Sequence, residues 1–302
     1  MNGILLINKP EKITSFDVIA VMRRLLGTKK IGHMGTLDPM ATGILPILVG
    51  NATKLQSIIP ESDKEYIAGF KLGISTDTQD ITGKVLKNSE VNFSQERVCK
   101  CLNEFKGEIM QIPPMYSAVK KDGVRLYALA RQGIEIKREP RPIKISRLDL
   151  LNFNEKNLEG QFIVRCSKGT YVRTLCNDLG EKLGCGGVMT SLKRTLACGF
   201  KIEDSITIDT AKKLATEGRI KDKFIPMDVP FYCYRAIHIT SKQGIRFTNG
   251  GGLMLGRTEI RDYECDKSII RVYDNTENFL GLGVIDPKKE ELAIFKLLHN
   301  KD

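Results

Sequence analysis

The 302-residue chain contains three histidines, His33, His238 and His299, and none of them sits at metal-ligand spacing. Its eight cysteines are scattered without a C-x-x-C pair, and Cys99 and Cys101 point to different sides of a predicted helix. The sequence thus carries no zinc or dithiol motif, and the plain expectation is a cytoplasmic protein with reduced, mostly buried thiols. There is no G-x-G-x-x-G and no P-loop, so neither a nucleotide cofactor nor a metal is expected. No run approaches the roughly 20 apolar residues that span a membrane. Met1-Asn2-Gly3 lacks a basic n-region and residues 3–7 form an apolar run of strand length, so no secretory signal is expected.

Acidic charge is also in deficit. The chain carries 47 Lys+Arg against 36 Asp+Glu, a net of +11, which suits a polyanionic partner. The excess is uneven: residues 231–302 hold 11 basic and 10 acidic residues, which leaves 36 against 26 in residues 1–230. Bulk electrostatic attraction is therefore expected from the N-terminal part. A chain of this length can bury one large core or two smaller ones.

The stretch around which the rest is organised is Gly32-His33-Met34-Gly35-Thr36-Leu37-Asp38-Pro39-Met40-Ala41-Thr42-Gly43-Ile44-Leu45-Pro46. Three glycines and two prolines in fifteen residues rule out a regular helix or a central strand. Pro39 pushes Asp38 toward an extended conformation, which leaves a carboxylate on a stiff loop with apolar flanks. Such a residue suits chemistry, but Asp-Pro beside glycine is also a common turn, and spacing alone favours the turn.

Read in order, residues 3–8 form a buried strand that Lys9-Pro10 ends. Lys9 can touch phosphate or stand solvated in a turn. Thr14 or Ser15 caps a helix with Val18, Ile19, Met22, Leu25 and Leu26 at helical spacing, and Gly27 stops it. The run 44–49 carries the loop into the core, and 67–73 is a strand entered through Tyr66, a residue that in such a place is usually half-buried packing. Residues 76–83 read as a turn, and Ser94 caps a helix through Phe105. Residues 116–144 hold eight Lys/Arg against three acids beside Tyr116 and Tyr127. That excess suits phosphates, or a solvated face. Within it, 124–131 reads as a short helix and 134–136 as strand-like. Residues 161–167 alternate as a half-buried strand, and a helix starts near Tyr171. Residues 224–230, with two prolines, read as a linker, and short β-like pieces with glycine turns follow.

Five of these stretches together resemble the TruB family of tRNA pseudouridine synthases. They are G-H-M-G-T-L-D-P-M-A-T-G-I-L-P at 32–46, D-K-E-Y at 63–66, T-D-T-Q-D-I-T-G at 76–83, Q-I-P-P-M-Y-S-A-V-K at 111–120 and C-S-K-G-T-Y-V-R-T at 166–174. The strand, N-K-P and T-S opening at 3–15 is similar to the family's first motif. The resemblance implies an α+β fold, a mixed and mostly antiparallel sheet flanked by helices. It implies a catalytic domain at 1–230 with a mobile basic thumb at 116–144. It also implies a PUA-like RNA-binding β-barrel at 231–302, where an unrelated small barrel is the alternative.

The implied activity is isomerisation of the T-loop uridine at tRNA position 55 to pseudouridine, with the base flipped out and no cofactor. Asp38 takes the place of the essential aspartate, as nucleophile toward the sugar or as base for its 2′ proton. Arg173 corresponds to the arginine that pairs with that aspartate, and Tyr171 to the tyrosine beside it. Tyr66 matches the tyrosine that stacks on the uracil, and Leu192 an apolar residue against the same base. His33 either fills the space the uridine leaves, or braces a neighbouring nucleotide, or only packs the loop through a backbone hydrogen bond. Lys120, Lys121 and Arg125 are expected on the RNA backbone. The partner is the tRNA T-arm, with no membrane and no protein partner required, for a monomer. Two rivals stand beside this reading: a tRNA-binding or folding protein with little catalysis, and a guide-dependent rRNA synthase. The intact Asp38, Tyr66 and Arg173 set opposes the first, and the short chain without basic tails opposes the second.

Overall fold

A computed structural model describes residues 1–60, 63–260 and 268–298, so His299 and Cys265 lie outside the described residues. The chain opens with β1 (Gly3–Lys9), α1 (Ser15–Leu26), β2 (Ile31–His33) and β3 (Thr42–Val49). It continues with β4 (Lys64–Leu72), a hairpin of β5 (Ile74–Thr76) and β6 (Val85–Asn88), α2 (Gln95–Asn103) and β7 (Gly107–Gln111). A second hairpin, β8 (Lys120–Lys121) and β9 (Val124–Arg125), runs into α3 (Leu126–Ala130). Then come β10 (Arg141–Asn154), β11 (Glu159–Cys166), α4 (Val172–Leu183), β12 (Gly187–Ala197), β13 (Phe200–Lys201), β14 (Ile206–Thr207) and α5 (Ile208–Thr216). The last part holds β15 (Ala236–His238), α6 (Ser241–Thr248), β16 (Leu253–Met254), β17 (Ile269–Tyr273), β18 (Phe279–Asp286) and β19 (Glu291–Leu297).

One ten-stranded sheet runs β14-β1-β3-β12-β4-β11-β10-β7, with β2 added on β3 and β13 on β12. Only the β1/β14 and β3/β12 pairings are parallel, so the sheet is mixed and mostly antiparallel, as an α+β assignment requires. β1 and β3 are apolar on both faces because both faces are covered. Leu5, Ile7, Leu45, Ile47 and Val49 pack under Val18, Ile19 and Met22 of α1 and Ala211 of α5. Ile4, Leu6, Ile44 and Leu48 face the opposite way and share a cluster with Phe231, Leu282 and Leu298. The second sheet, β15-β17-β18-β19-β16, thus lends residues to the core of the first and keeps a core of its own around Phe247, Val272 and Leu292.

The local rules hold where they were strongest. Thr14 makes a full capping box with Asp17, and Gly27 ends α1 in the left-handed region. Three expectations need correction. Residues 124–131 do not form one helix: Asp122 and Gly123, both at positive φ, turn β8 into β9 before α3 begins. That is the hairpin chemistry of an Asp-Gly pair. Residues 134–136 form no strand, since Ile134 is exposed and no strand pairs with it. Residues 224–230 are not a loose linker: Ile225 exchanges backbone hydrogen bonds of 2.9 and 2.8 Å with Ile4, and Phe231 is fully buried.

Candidate active site

The loop bearing Asp38 joins β2 to β3, and three buried polar side chains pin it. The hydroxyl of Ser15 donates to the Leu37 carbonyl at 3.1 Å and accepts from the Leu37 amide at 2.8 Å. Lys9 is fully buried, and its Nζ donates to the carbonyls of Pro10, Ile13 and Pro39 at 2.9, 2.6 and 3.3 Å. It is therefore neither a phosphate contact nor a solvated lysine, because carbonyl oxygens replace water around the ammonium. Burial lowers its pKa, and the nearby Asp38 opposes that.

The third pin is Arg194, also fully buried, on β12. Its Nε donates to the Ile44 carbonyl at 2.8 Å and its Nη2 to the Gly35 carbonyl at 3.0 Å, so one guanidinium ties both ends of the loop. Gly43, at φ +104°, lets β3 approach β12 there: a Cβ would lie 2.2 Å from the Arg194 carbonyl oxygen.

Asp38 itself keeps 40% of its side chain open and forms an ion pair with Arg173. Arg173 sits in the first turn of α4, with 10% of its side chain exposed. Its other nitrogen, Nη1, lies 3.6 Å from a second carboxylate, Asp80. Asp80 is buried and accepts from the Thr78 and Thr82 hydroxyls at 2.9 and 2.6 Å and from the Thr82 amide at 3.0 Å. Its loop is docked in turn: Thr174 donates to the Gln79 side chain at 2.8 Å, and Gln79 and Ile81 bond the backbone of Met189. Arg173 is thus held from behind while it holds Asp38 in front.

Tyr171 is the residue that precedes α4, and Gln111 grips its backbone. The Gln111 amide donates to the Tyr171 carbonyl at 3.1 Å and its oxygen accepts from the Tyr171 amide at 2.8 Å. The floor comes from β4 and β12. Tyr66 lies opposite Arg194, and Ala68 opposite Leu192, so the four share one face of the sheet. Tyr66, Leu192 and Leu37 belong to one buried cluster, with Met40 packed on it. Burial raises the Tyr66 pKa and Arg194 pulls it down. His33 ends β2 half-buried, with Nδ1 enclosed and without a hydrogen-bond partner, and with Phe16 set edge-to-face 5.6 Å from its ring. Burial, then Arg194, lowers its pKa, which favours the neutral imidazole at pH 7.

The structure thus pairs Asp38 with Arg173 and sets Tyr66 and Leu192 in one cluster with Leu37, the residue before Asp38; Tyr171 stands two residues before Arg173, and His33 lies at the head of the Asp38 loop against Phe16. Lys120, Lys121 and Arg125 are not in that cluster; they stand exposed on the β8–β9 hairpin, where Arg125 Nη1 donates to the Tyr127 hydroxyl at 3.3 Å. Sequence reasoning missed Asp80 and Arg194. Asp80 was visible only as part of a turn motif. Arg194 stands two residues from Leu192, on the same face by strand period, but a charged residue is not expected to be fully buried. Among the described residues no group of His, Cys, Asp and Glu can hold a metal ion, and no helix is long and apolar enough to cross a membrane. A half-open carboxylate aimed by a guanidinium over an apolar floor can attack an electrophilic carbon or take a proton, and the floor suits a planar base.

Comparison with known proteins agrees with this arrangement. Residues 23–172 match the family described as TruB family pseudouridylate synthase (N terminal domain), and residues 173–231 match the tRNA pseudouridylate synthase B C-terminal domain. A protein named tRNA pseudouridine synthase B from Clostridium tetani is 44% identical over 299 residues, which is 99% of this chain and 100% of the relative. Its namesake from Alkaliphilus oremlandii is 41% identical over 306 residues, covering 100% of both. Among solved structures, a chain of an H/ACA RNP bound to a substrate RNA containing 2′-deoxyuridine superposes with a TM-score of 0.73 at 20% identity, covering 99% of this chain and 86% of that one. A chain of a Cbf5-Nop10-Gar1 complex does so with 0.73 at 24% identity, covering 98% and 85%. At these identities the likeness is one of fold, and it extends across the C-terminal sheet, consistent with a PUA-like domain.

Proposed function

The chain belongs to the TruB family of pseudouridylate synthases, and from that premise we propose that it converts the T-loop uridine at position 55 of tRNA to pseudouridine. The observation that carries the reading is the Asp38–Arg173–Asp80 arrangement above the Tyr66 and Leu192 floor. A base flipped from its loop stacks on Tyr66 and against Leu192, which places its sugar at Asp38. Asp38 then acts on the sugar, either by bonding to its carbon or by taking its 2′ proton. Arg173 keeps the carboxylate aimed, and Tyr171 lies beside it at the start of α4.

The reaction breaks one N–C bond and makes one C–C bond within the same nucleotide, so no electrons are exchanged with a second substrate. Lys120, Lys121 and Arg125 reach phosphates from an exposed hairpin, and the +11 net charge draws the RNA in. Residues 1–230 carry the chemistry in this reading, with 116–144 as the thumb, and 231–302 add contacts to the tRNA. The protein acts in the cytoplasm as a monomer without a protein partner. The relatives above 40% identity over their full length are named for tRNA, whereas the H/ACA RNP and Cbf5-Nop10-Gar1 neighbours are alike in fold alone, which favours the tRNA reading. The test is incubation of purified protein with an unmodified tRNA transcript, followed by mapping of pseudouridine. Product at the T-loop uridine supports the proposal, and bound but unchanged tRNA contradicts it.

A further inference from the structure

Phe16 is the second residue of α1 and is 68% exposed, the most open large apolar side chain among the described residues. The helix does not need it there. The buried face of α1 is built by Val18, Ile19 and Met22, and the N-cap work is done by Thr14 and Asp17. A single exposed aromatic is ordinary on a protein surface. The position of this one is not. Its neighbour Ser15 exchanges two hydrogen bonds with Leu37, the residue before Asp38, and Lys12 donates its amide to the Pro39 carbonyl at 2.8 Å. The start of α1 is therefore tied to the Asp38 loop, and the Phe16 ring rests on His33 at the head of that loop.

Its contact is also directional. Phe16 and His33 meet at 5.6 Å between centroids and 85° between planes, the favoured edge-to-face geometry. Two rings in this contact, one of them mostly open, present an aromatic surface beside the Asp38 loop.

Resting on the reading of this site as one that flips a uridine out of a tRNA loop, we propose that Phe16, braced by His33, is a stacking platform for the nucleobase adjacent to the target uridine. When the uridine leaves the stack, its neighbour loses a partner on one side. An exposed ring beside the Asp38 loop replaces that partner, and stacking of this kind tolerates any base. The pair is uncharged when the imidazole is neutral, so it suits a base rather than a phosphate.

The test uses the full-length chain with an unmodified tRNA transcript, and a T-arm stem-loop with 2-aminopurine next to the target uridine. Phe16→Ala is expected to raise KM roughly tenfold, with a much smaller change in kcat and no change in the salt dependence of binding. It is also expected to abolish the change in 2-aminopurine fluorescence on binding. Phe16→Tyr restores both, and Phe16→Leu restores neither. A Leu variant equal to wild type would make the residue a mere apolar cover and overturn the proposal. So would an Ala variant with lower kcat but unaltered KM and fluorescence, which would mean that Phe16 acts only on His33. Should the wild-type chain convert no uridine, the functional reading fails on its own, and the fluorescence of the bound stem-loop still decides for or against the platform.

Discussion

Arg173 Nη1 stands 3.6 Å from the Asp80 carboxylate, so the guanidinium that pairs with Asp38 lies between two carboxylates. Among the described residues these two carboxylates are the ion-pair partners of the nearly buried arginine. The three threonine-derived hydrogen bonds to Asp80 from Thr78 and Thr82 make the anchor rigid, and the pairing of Gln79 and Ile81 with Met189 ties it to β12.

Asp80→Asn removes that anchor and keeps the shape. The expected outcome is a fall in kcat of roughly tenfold to a hundredfold, the cost of a misplaced catalytic group, with KM for tRNA little changed. Steady-state kinetics on an unmodified transcript checks it. A variant with normal kcat would show that Asp38 alone fixes Arg173.

Gly43→Ala forces a Cβ to within 2.2 Å of the Arg194 carbonyl oxygen at a backbone φ of +104°. Because β3 and β12 meet there, the strands must separate and Arg194 must lose its hold on Ile44. We expect destabilisation of about 3 kcal/mol or more, read as a lower Tm in thermal melts. An unchanged Tm would mean that the Gly43–Arg194 approach is not needed for the fold.

Much of this was legible in the sequence, for physical reasons that can be named. The capping box of Thr14 and Asp17 and the stop at Gly27 are local, so α1 was readable from a dozen residues. β1 and β3 read as apolar runs because both of their faces are covered. The glycine- and proline-rich loop around Asp38 carried its own signature, and Tyr66, Tyr171 and Arg173 stand within motifs of their own. Lys9 and Arg194 were not legible, since a charged side chain is assigned to the surface by default. Only chain closure supplies the carbonyls of Ile13, Pro39, Gly35 and Ile44 that make their burial tolerable. The Asp122-Gly123 turn was overlooked because the apolar spacing after it, through Leu126 and Leu129, suggested a longer helix. Contact between residues 224–231 and β1 is non-local and left no mark in the sequence beyond two prolines.

Asp178 in α4 offers a pH test. Burial, as the leading cause, pushes its carboxyl up to about 6, Asn177 pulls it down and Glu181 adds to the rise. The folded state therefore holds a proton that the unfolded state releases near the ordinary value of 3.8. The stability this gives is full below the unfolded value and is lost as pH rises toward and through about 6. Asp178→Asn should be more stable than wild type at pH 7, and its Tm should lose this slope between pH 4 and 6. Parallel melts across that range check the sign, and a variant that tracks wild type would contradict it.

The exposed hairpin supplies a test of its own. Alanine at Lys120, Lys121 and Arg125 should weaken tRNA binding and flatten its salt dependence by roughly 0.7–0.9 units of slope for each phosphate left without its cation. Binding titrations at several salt concentrations give the slope. An unchanged slope would mean that these are solvated charges and that the phosphates bind elsewhere.

Asp38→Asn is the most direct test of the central claim, that a carboxylate aimed by Arg173 performs the chemistry on a bound tRNA. The amide has nearly the same shape, and phosphate contacts dominate affinity. Single-turnover conversion of an unmodified transcript should therefore be abolished while the Kd for tRNA stays close to wild type. Substantial pseudouridine formation by the Asn variant would contradict the account.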